Sequence, residues 1–349
     1  MFFAMYDRFL KSIGDTYILE SWSRIQRAVD FDEMKIVGEQ IQSSANPFFV
    51  VANDKQGKMM FSGLASTPSI DEKTKKTTMY LKDYMTLFNT EILIDWGSFK
   101  GATVAEYLDF ILSTWLNQTD VGFNGITWDV SNLAETMLEK EIPIGEGVEN
   151  VSVYPLVLDV LNYYNVYCDP KLNIFKEKLI FNFCKGSMHI MSIRLKDFGV
   201  TNIEKSFGEH NRATVYSYSK EKDQEWGITA DNRIIKIYPS EVDKSVSLVY
   251  PAKNRNFISA ENNSNALYNS IYDAVMSLAR NRYQENIDLN AQQYKSILDL
   301  TKVDFSYKIA VYTEEGYYKD LPVGEIETNS KGTHIVRLGQ RIQELTQEL

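Results

Sequence analysis

The chain has 349 residues, of which 44% are hydrophobic, 24% charged and 13% aromatic, and its formal net charge is −10. That length suits two or three domains, and the composition supplies folded cores and excludes wholesale disorder. A protein that grips duplex DNA needs clustered Lys and Arg. The densest run here is Lys73-Thr74-Lys75-Lys76, preceded by Asp71 and Glu72 and read as a solvated turn.

The first eight residues, from Met1 to Arg8, lack the basic segment and long apolar run of a signal peptide. No apolar stretch approaches the roughly 18 residues of a membrane span. The expectation is a soluble chain made in a cytoplasm. The 21 Tyr and 18 Phe favour strands and contact surfaces.

The first hundred residues read as strands. Residues 16–22 are apolar and β-branched. Pro47-Phe48-Phe49-Val50-Val51-Ala52, the turn-forming stretch 53–58, and Met59-Met60-Phe61-Ser62-Gly63-Leu64-Ala65 predict a hairpin. A strand is predicted over 77–81. Leu81, Tyr84, Met85 and Phe88 then follow helical spacing, and the strand 92–96 closes the block. Short strands at this frequency suggest a small barrel or sandwich over 1–100.

The period then changes. Val104, Tyr107, Leu108, Ile111, Leu112, Trp115 and Leu116 share one helical face, and Thr103 with Glu106 forms a capping box at its start. A second helix is predicted over 155–164, with Pro155 as its first residue. A hairpin over 163–169 and 178–185 carries the only cysteines, Cys168 and Cys184. Pairing across the hairpin is conceivable; two reduced, partly buried thiols are the favoured reading. Residues 101–200 thus read as an α+β insertion. Strands return at 213–218 and 233–238. A polar stretch follows at 260–265, then a third helix capped by Ser264, then strands at 305–312, 317–318 and 333–338. The whole reads as α+β and β-rich.

Catalytic patterns are scarce. There is no G-x-S-x-G, no phosphate-binding GK[ST] and no H-E-x-x-H. Gly145-Glu146-Gly147 lacks a third glycine and reads as a loop. His189, His210 and His334 have no ligand-like spacing. Glu106 has a capping role, and Asp109 lies on the polar face of the same helix. Asp95 beside Trp96 would suit either sugar binding or a strand end. Asp30-Phe31-Asp32-Glu33 lacks the glycine and spacing of a calcium loop and reads as a solvated turn. The expectation is no catalytic residue, no cofactor-binding residue, no metal ligand and no cofactor.

Four stretches in order carry a resemblance. They are the hairpin ending Phe61-Ser62-Gly63-Leu64-Ala65 followed by Tyr80-Leu81-Lys82-Asp83-Tyr84-Met85-Thr86-Leu87-Phe88; the helix over 103–116; Asn211-Arg212-Ala213-Thr214-Val215-Tyr216-Ser217; and the ending Leu321-Pro322-Val323-Gly324-Glu325 with Thr333-His334-Ile335-Val336-Arg337-Leu338. This ordered set resembles baseplate hub proteins of phage tails, also called tail-associated proteins, and most of all the hubs of lactococcal siphophages. The resemblance implies two small antiparallel β-barrels with α/β insertions, as in contractile-tail hubs. The first would span 1–100 and the second would combine 201–240 with 303–349, with a helical insertion at 241–302.

It further implies a homotrimeric ring presenting six barrels to a hexameric distal tail ring. Receptor-binding and tape measure proteins would be further neighbours. The ring would close or line a channel through which DNA passes unbound, where a negative wall suits passage. The place would be the virion tail tip. Because Leu349 follows the expected last strand so closely, the lytic extensions of some family members are expected to be absent. Two other classes compete: a tail-tip receptor- or carbohydrate-binding protein, and a cell-wall hydrolase.

Overall fold

The computed structural model describes residues 1–41, 47–138, 147–200, 203–206, 210–217, 224–228, 234–238, 254–260, 274, 277–278 and 284–339. In the N-terminal part the strands are β1 (Phe2–Tyr6), β2 (Tyr17–Arg27), β3 (Glu33–Glu39), β4 (Phe49–Asn53), β5 (Met59–Leu64), β6 (Ser69–Asp71), β7 (Lys76–Lys82) and β8 (Glu91–Asp95). The middle carries α1 (Val104–Gln118), β9 (Ile126–Asp129), β10 (Val148–Ser152), α2 (Val153–Tyr164), β11 (Val166–Asn173), β12 (Lys178–Lys185) and β13 (His189–Arg194). After these come β14 (Glu204–Ser206), β15 (His210–Ser217), β16 (Gln224–Ile228), β17 (Ile234–Tyr238), β18 (Asn254–Ala260), β19 (Gln284–Asn290), β20 (Tyr307–Thr313), β21 (Gly316–Asn329) and β22 (His334–Leu338). The fold is β-rich with few helices.

The N-terminal strands pair in the cyclic order β1–β2–β3–β7–β5–β4–β1. Two joints in that circuit are short: β1 meets β2 at two residue pairs, and β5 meets β7 at Leu64↔Lys82. Gly38 sits at a tight point of the circuit, where a Cβ would lie 2.4 Å from the Ile18 carbonyl oxygen and 2.8 Å from the Phe3 ring. Only glycine admits that approach.

The continuous apolar run of β4 has a structural cause. Val50 and Ala52 face the interior cluster with Phe3, Met5, Ile36 and Met79, while Phe49 and Val51 face the core under α1. A strand buried on both faces does not alternate.

The amphipathic stripe of α1 is buried as its spacing predicts, with Leu108, Ile111, Leu112 and Trp115 at 0% exposure. Its capping box is formed in both directions. Trp115 packs edge-on to Phe88 with ring centroids 4.9 Å apart, and Phe88 meets Phe181 at 4.7 Å. Each such side chain contributes roughly 1.5–3 kcal/mol by leaving water.

Several expectations are corrected here. Residues 81–88 do not form one helix: Leu81 stays in β7, and a 3₁₀ turn spans Tyr84–Phe88, capped by Asp83. The strand at 92–96 does not close the N-terminal block. As β8 it pairs with β10, and its other edge is met at Leu93 by the Gln118 side-chain amide. The second helix begins two residues early, at Val153, so Pro155 lies inside its first turn, where no intrahelical donor is missed. Strands β1, β3, β6, β9, β10, β13, β14, β16, β18 and β19 have no counterpart in the sequence reading, and β18 and β19 lie in the stretch read as helical. The third helix falls mostly outside the described residues; within it Ala274, Ser277 and Leu278 are helical.

The C-terminal strands form the series β13–β20–β21–β22–β19–β14, and β21 joins β2 of the N-terminal part. β15–β18 make a separate four-stranded sheet. Among the described residues, no helix is long and apolar enough to cross a membrane.

Candidate functional site

Among the described residues singled out from sequence for chemistry, Asp30, Asp32, Cys168 and His334 line one cavity, and the others do not join it. Glu106 caps α1, and amides of Ala102 and Thr103 hold its carboxyl below the usual range. Asp109 accepts from the Trp128 indole at 2.7 Å. Asp95 caps the short turn Trp96–Ser98. Trp96 is 5% exposed, stacks on Tyr107 and donates to Glu149, so its ring offers no open face to a sugar.

Cys168 and Cys184 are free thiols. Cys168 opposes Phe183 and Cys184 opposes Tyr167, so the two side chains leave opposite faces of the hairpin and cannot bridge. His189 is exposed beside Tyr307. The Lys73–Lys76 turn is solvated: Asp71 accepts from the Lys73 and Thr74 amides, and Lys75 pairs with Glu72. Gly145 and Glu146 lie outside the described residues.

The chemistry that does converge lies where the stretch Asp30-Phe31-Asp32-Glu33 meets the C-terminal strands. The expected solvated turn is instead a packed joint. Arg24 forks onto Asp32 at 2.8 and 3.3 Å, and the Arg27 amide also donates to Asp32. The Arg27 side chain, 8% exposed, reaches Glu33 at 2.8 Å, the Phe31 carbonyl at 2.9 Å and Glu325 at 3.2 Å. The register places Arg27 opposite Glu325 on β21, and Glu325 opposite Arg337 on β22. Glu325, 5% exposed, is therefore held between two guanidiniums. Arg337 also reaches Glu327 at 2.7 Å and Asp288 at 3.2 Å.

A buried network of this kind costs desolvation that its Coulomb energy roughly repays. Its effect is geometric: charged side chains admit few alternative registers between β2 and β21.

The loop preceding this network is strained and clamped. Asp30 has φ 138°, rare for an L residue. Its carboxylate accepts from the Phe31 amide at 2.7 Å and from the Tyr154 hydroxyl of α2 at 2.9 Å. The Phe31 ring stacks on Tyr154 with centroids 4.1 Å apart. Burial, and then the Asp30 charge and hydrogen bond, push the Tyr154 phenol far up, so it stays a donor at any ordinary pH.

Asp83 completes the group: its carboxyl accepts from the Asp32 amide at 2.8 Å and from the Met85 amide at 3.0 Å. These residues border a cavity of about 220 Å³ whose far walls come from β11, the segment before β20, and β22. His334 lines it, with a buried Nε2 that meets no hydrogen-bond partner, and burial lowers its imidazole pKa.

The site thus joins three parts of the chain. Cys168 lines the cavity, and burial followed by the Asp83 charge raises its thiol; among the described residues no group of three or more His, Cys, Asp or Glu is arranged to hold a metal. Sequence reading missed Arg24, Arg27, Asp83, Glu325 and Arg337. The available signal was the pairing of arginines on β2 and β22 with glutamates two apart on β21.

No family model matches the chain, and no curated protein matches it by sequence. Solved structures do match its fold. A prophage tail protein from Listeria monocytogenes superposes with a TM-score of 0.51 at 12% identity, covering 99% of this chain and 96% of that one. A tail protein from Neisseria meningitidis gives 0.50 at 11% identity over 97% and 96%. A chain of the p2 virion baseplate in its activated conformation gives 0.50 at 10% identity over 97% and 99%. Across nearly its whole length, then, this chain has the fold of phage tail and baseplate proteins.

Proposed function

We propose that the protein is a structural, non-enzymatic subunit of a phage tail tip, the hub of the baseplate, of the kind found in lactococcal siphophages. The observation that carries this reading is the end-to-end fold likeness to tail and baseplate proteins, which leaves little of either chain uncovered. The circuit β1–β2–β3–β7–β5–β4 supports a barrel over 1–100. A second β unit, expected from 201–240 and 303–349, would be its counterpart: β14 and β20–β22 join β13 and β19 in one series, whereas β15–β17 lie with β18 in a separate sheet, and 101–200 would be the α+β insertion between the units.

Three copies would form a ring with six β units facing a hexameric distal tail protein. Receptor-binding and tape measure proteins would adjoin it in the virion. The formal charge of −10 suits a channel wall past which DNA slides without a multi-phosphate grip.

Light scattering of the purified chain across a range of concentrations tests the trimer. The reading predicts a species of three times the 40.2 kDa chain mass, alone or on mixing with the distal tail protein. A chain that stays monomeric when concentrated with that partner contradicts it.

A further inference from the structure

Strands β8 and β10 form a two-stranded sheet of their own. Ile92 and Ile94 point into the core that holds the α1 stripe, so Glu91, Leu93 and Asp95 face outward. Across the sheet they lie beside Ser152, Asn150 and Val148. Leu93 and Val148 are 55% and 62% exposed.

The backbone of this sheet has two unlike edges. Along β8, the Gln118 side chain accepts from the Leu93 amide at 2.8 Å and donates to the Leu93 carbonyl at 2.7 Å. A side-chain amide thus stands in for a neighbouring strand and closes that edge. Because both Leu93 groups point away from β10, Leu93 and Asn150 are a non-hydrogen-bonded pair. The flanking bonds agree in phase: the Trp96 amide donates to the Gly147 carbonyl, and the Val153 amide to the Thr90 carbonyl. The N–H and C=O of Val148 and Asn150, and the N–H of Ser152, therefore point out of the far edge of β10. Among the described residues, β10 pairs with no strand but β8. Open edges are commonly blunted by Lys, Pro or a bulge. Strand β10 has no Lys or Pro, and its register with β8 runs without a bulge.

Charge selects what fits that edge. The two strands carry Glu91, Asp95 and Glu149 and no Lys or Arg. A second copy docking edge to edge would set these carboxylates against their duplicates, which is destabilising, whereas a basic strand meets opposite charge. We propose that the free edge of β10 is a strand-addition site for an extended segment of another protein in which Lys or Arg alternates with apolar residues. The incoming main chain pairs with Val148, Asn150 and Ser152, and the alternating side chains give selectivity. On the inner side its apolar residues continue the layer of Val151, Ile92 and Ile94. On the outer side its cations lie over the face that carries Glu91 and Asp95. The site is independent of whether the chain assembles in a tail.

The test uses the full chain and a short synthetic peptide of alternating Lys and Val, with binding read by fluorescence anisotropy and amide exchange over 148–152 read by mass spectrometry. The wild type should bind the peptide, and exchange over 148–152 should slow several-fold. Asn150→Pro removes an N–H that β8 does not use, so the sheet persists while binding weakens about tenfold or more. Asn150→Ala keeps that N–H and should bind as the wild type does. Glu91→Lys should weaken binding about threefold. A peptide of alternating Glu and Val should not bind.

Absence of binding by the Lys-Val peptide overturns the proposal, as does equal binding by the wild type and Asn150→Pro. So does slow exchange of the 148, 150 and 152 amides in the free chain, which would mean that the edge is already covered. A dimer that Asn150→Pro dissociates would assign the edge to a second copy instead. Should Asn150→Pro fail to fold, the wild type decides with the Lys-Val peptide N-methylated at its lysines or at its valines. One of the two methylated peptides should lose binding and the other keep it, because alternate amides of an added strand face β10; equal binding by both refutes the site.

Discussion

Beneath α1 the packing partners are rings and aliphatic chains, Trp115 on Phe88 and Phe88 on Phe181. Along the seam between β2 and β21 they are guanidiniums and carboxylates, Arg27 on Glu325 and Glu325 on Arg337. The first region gains free energy from every carbon it buries and is indifferent to which register delivers it. The second gains little net energy, yet it fixes how strands from opposite ends of the chain line up. The core makes the chain fold, and the seam makes it fold into one particular arrangement of its parts.

Removing Trp115 should cost most. Trp115→Ala is expected to destabilise by about 3–5 kcal/mol, read in a denaturant melt, with little dependence on salt. Arg27→Ala should cost about 3 kcal/mol, because Glu325 is left buried with half its compensation. Arg27→Met with Glu325→Leu should recover most of that loss, and a double-mutant cycle measures the recovery. No recovery would show that the seam is as energetic as the core, and the contrast would fail.

Tyr154→Phe removes the donor to Asp30 and should cost about 1–2 kcal/mol, with faster exchange in the strained loop but not in α1. Thr103→Ala should cost about 1 kcal/mol through the lost cap, seen as lower helicity at the start of α1. The Glu106 half of that cap has its carboxyl lowered by the amides it accepts, so its contribution is present above 4.5 and lost as pH falls below that value. Lys75→Ala, on a solvated turn, should stay within about 0.5 kcal/mol of the wild type.

The contrast also explains what could be read from sequence. The stripe from Val104 to Trp115 and its capping box are local, repeated every three or four residues, and α1 was legible for that reason. The hairpin of β4 and β5 was legible from its apolar run and its turn. Strand β3, with Glu33, Lys35 and Glu39 facing out between small and apolar residues, has no strong local signature; its pairing with β2 and β7 makes it a strand.

The joint was illegible because Arg27 and Glu325 are 298 residues apart, and neither has a neighbour that marks it. The run Asp30-Phe31-Asp32-Glu33 looked like surface because burial of a charged stretch depends wholly on what arrives from elsewhere in the chain. Asp83 was hidden in the same way: in sequence it is only a residue between a strand and a turn.

In the proposed tail-tip ring, two β units joined at the seam between β2 and β21 would act together. Electron microscopy of this chain mixed with the hexameric distal tail protein tests it most directly. The account predicts a closed ring of three copies on one face of the hexamer, with six β lobes in near six-fold order around an open or plugged axis. Single copies attached at the periphery, or no complex at all, would contradict it.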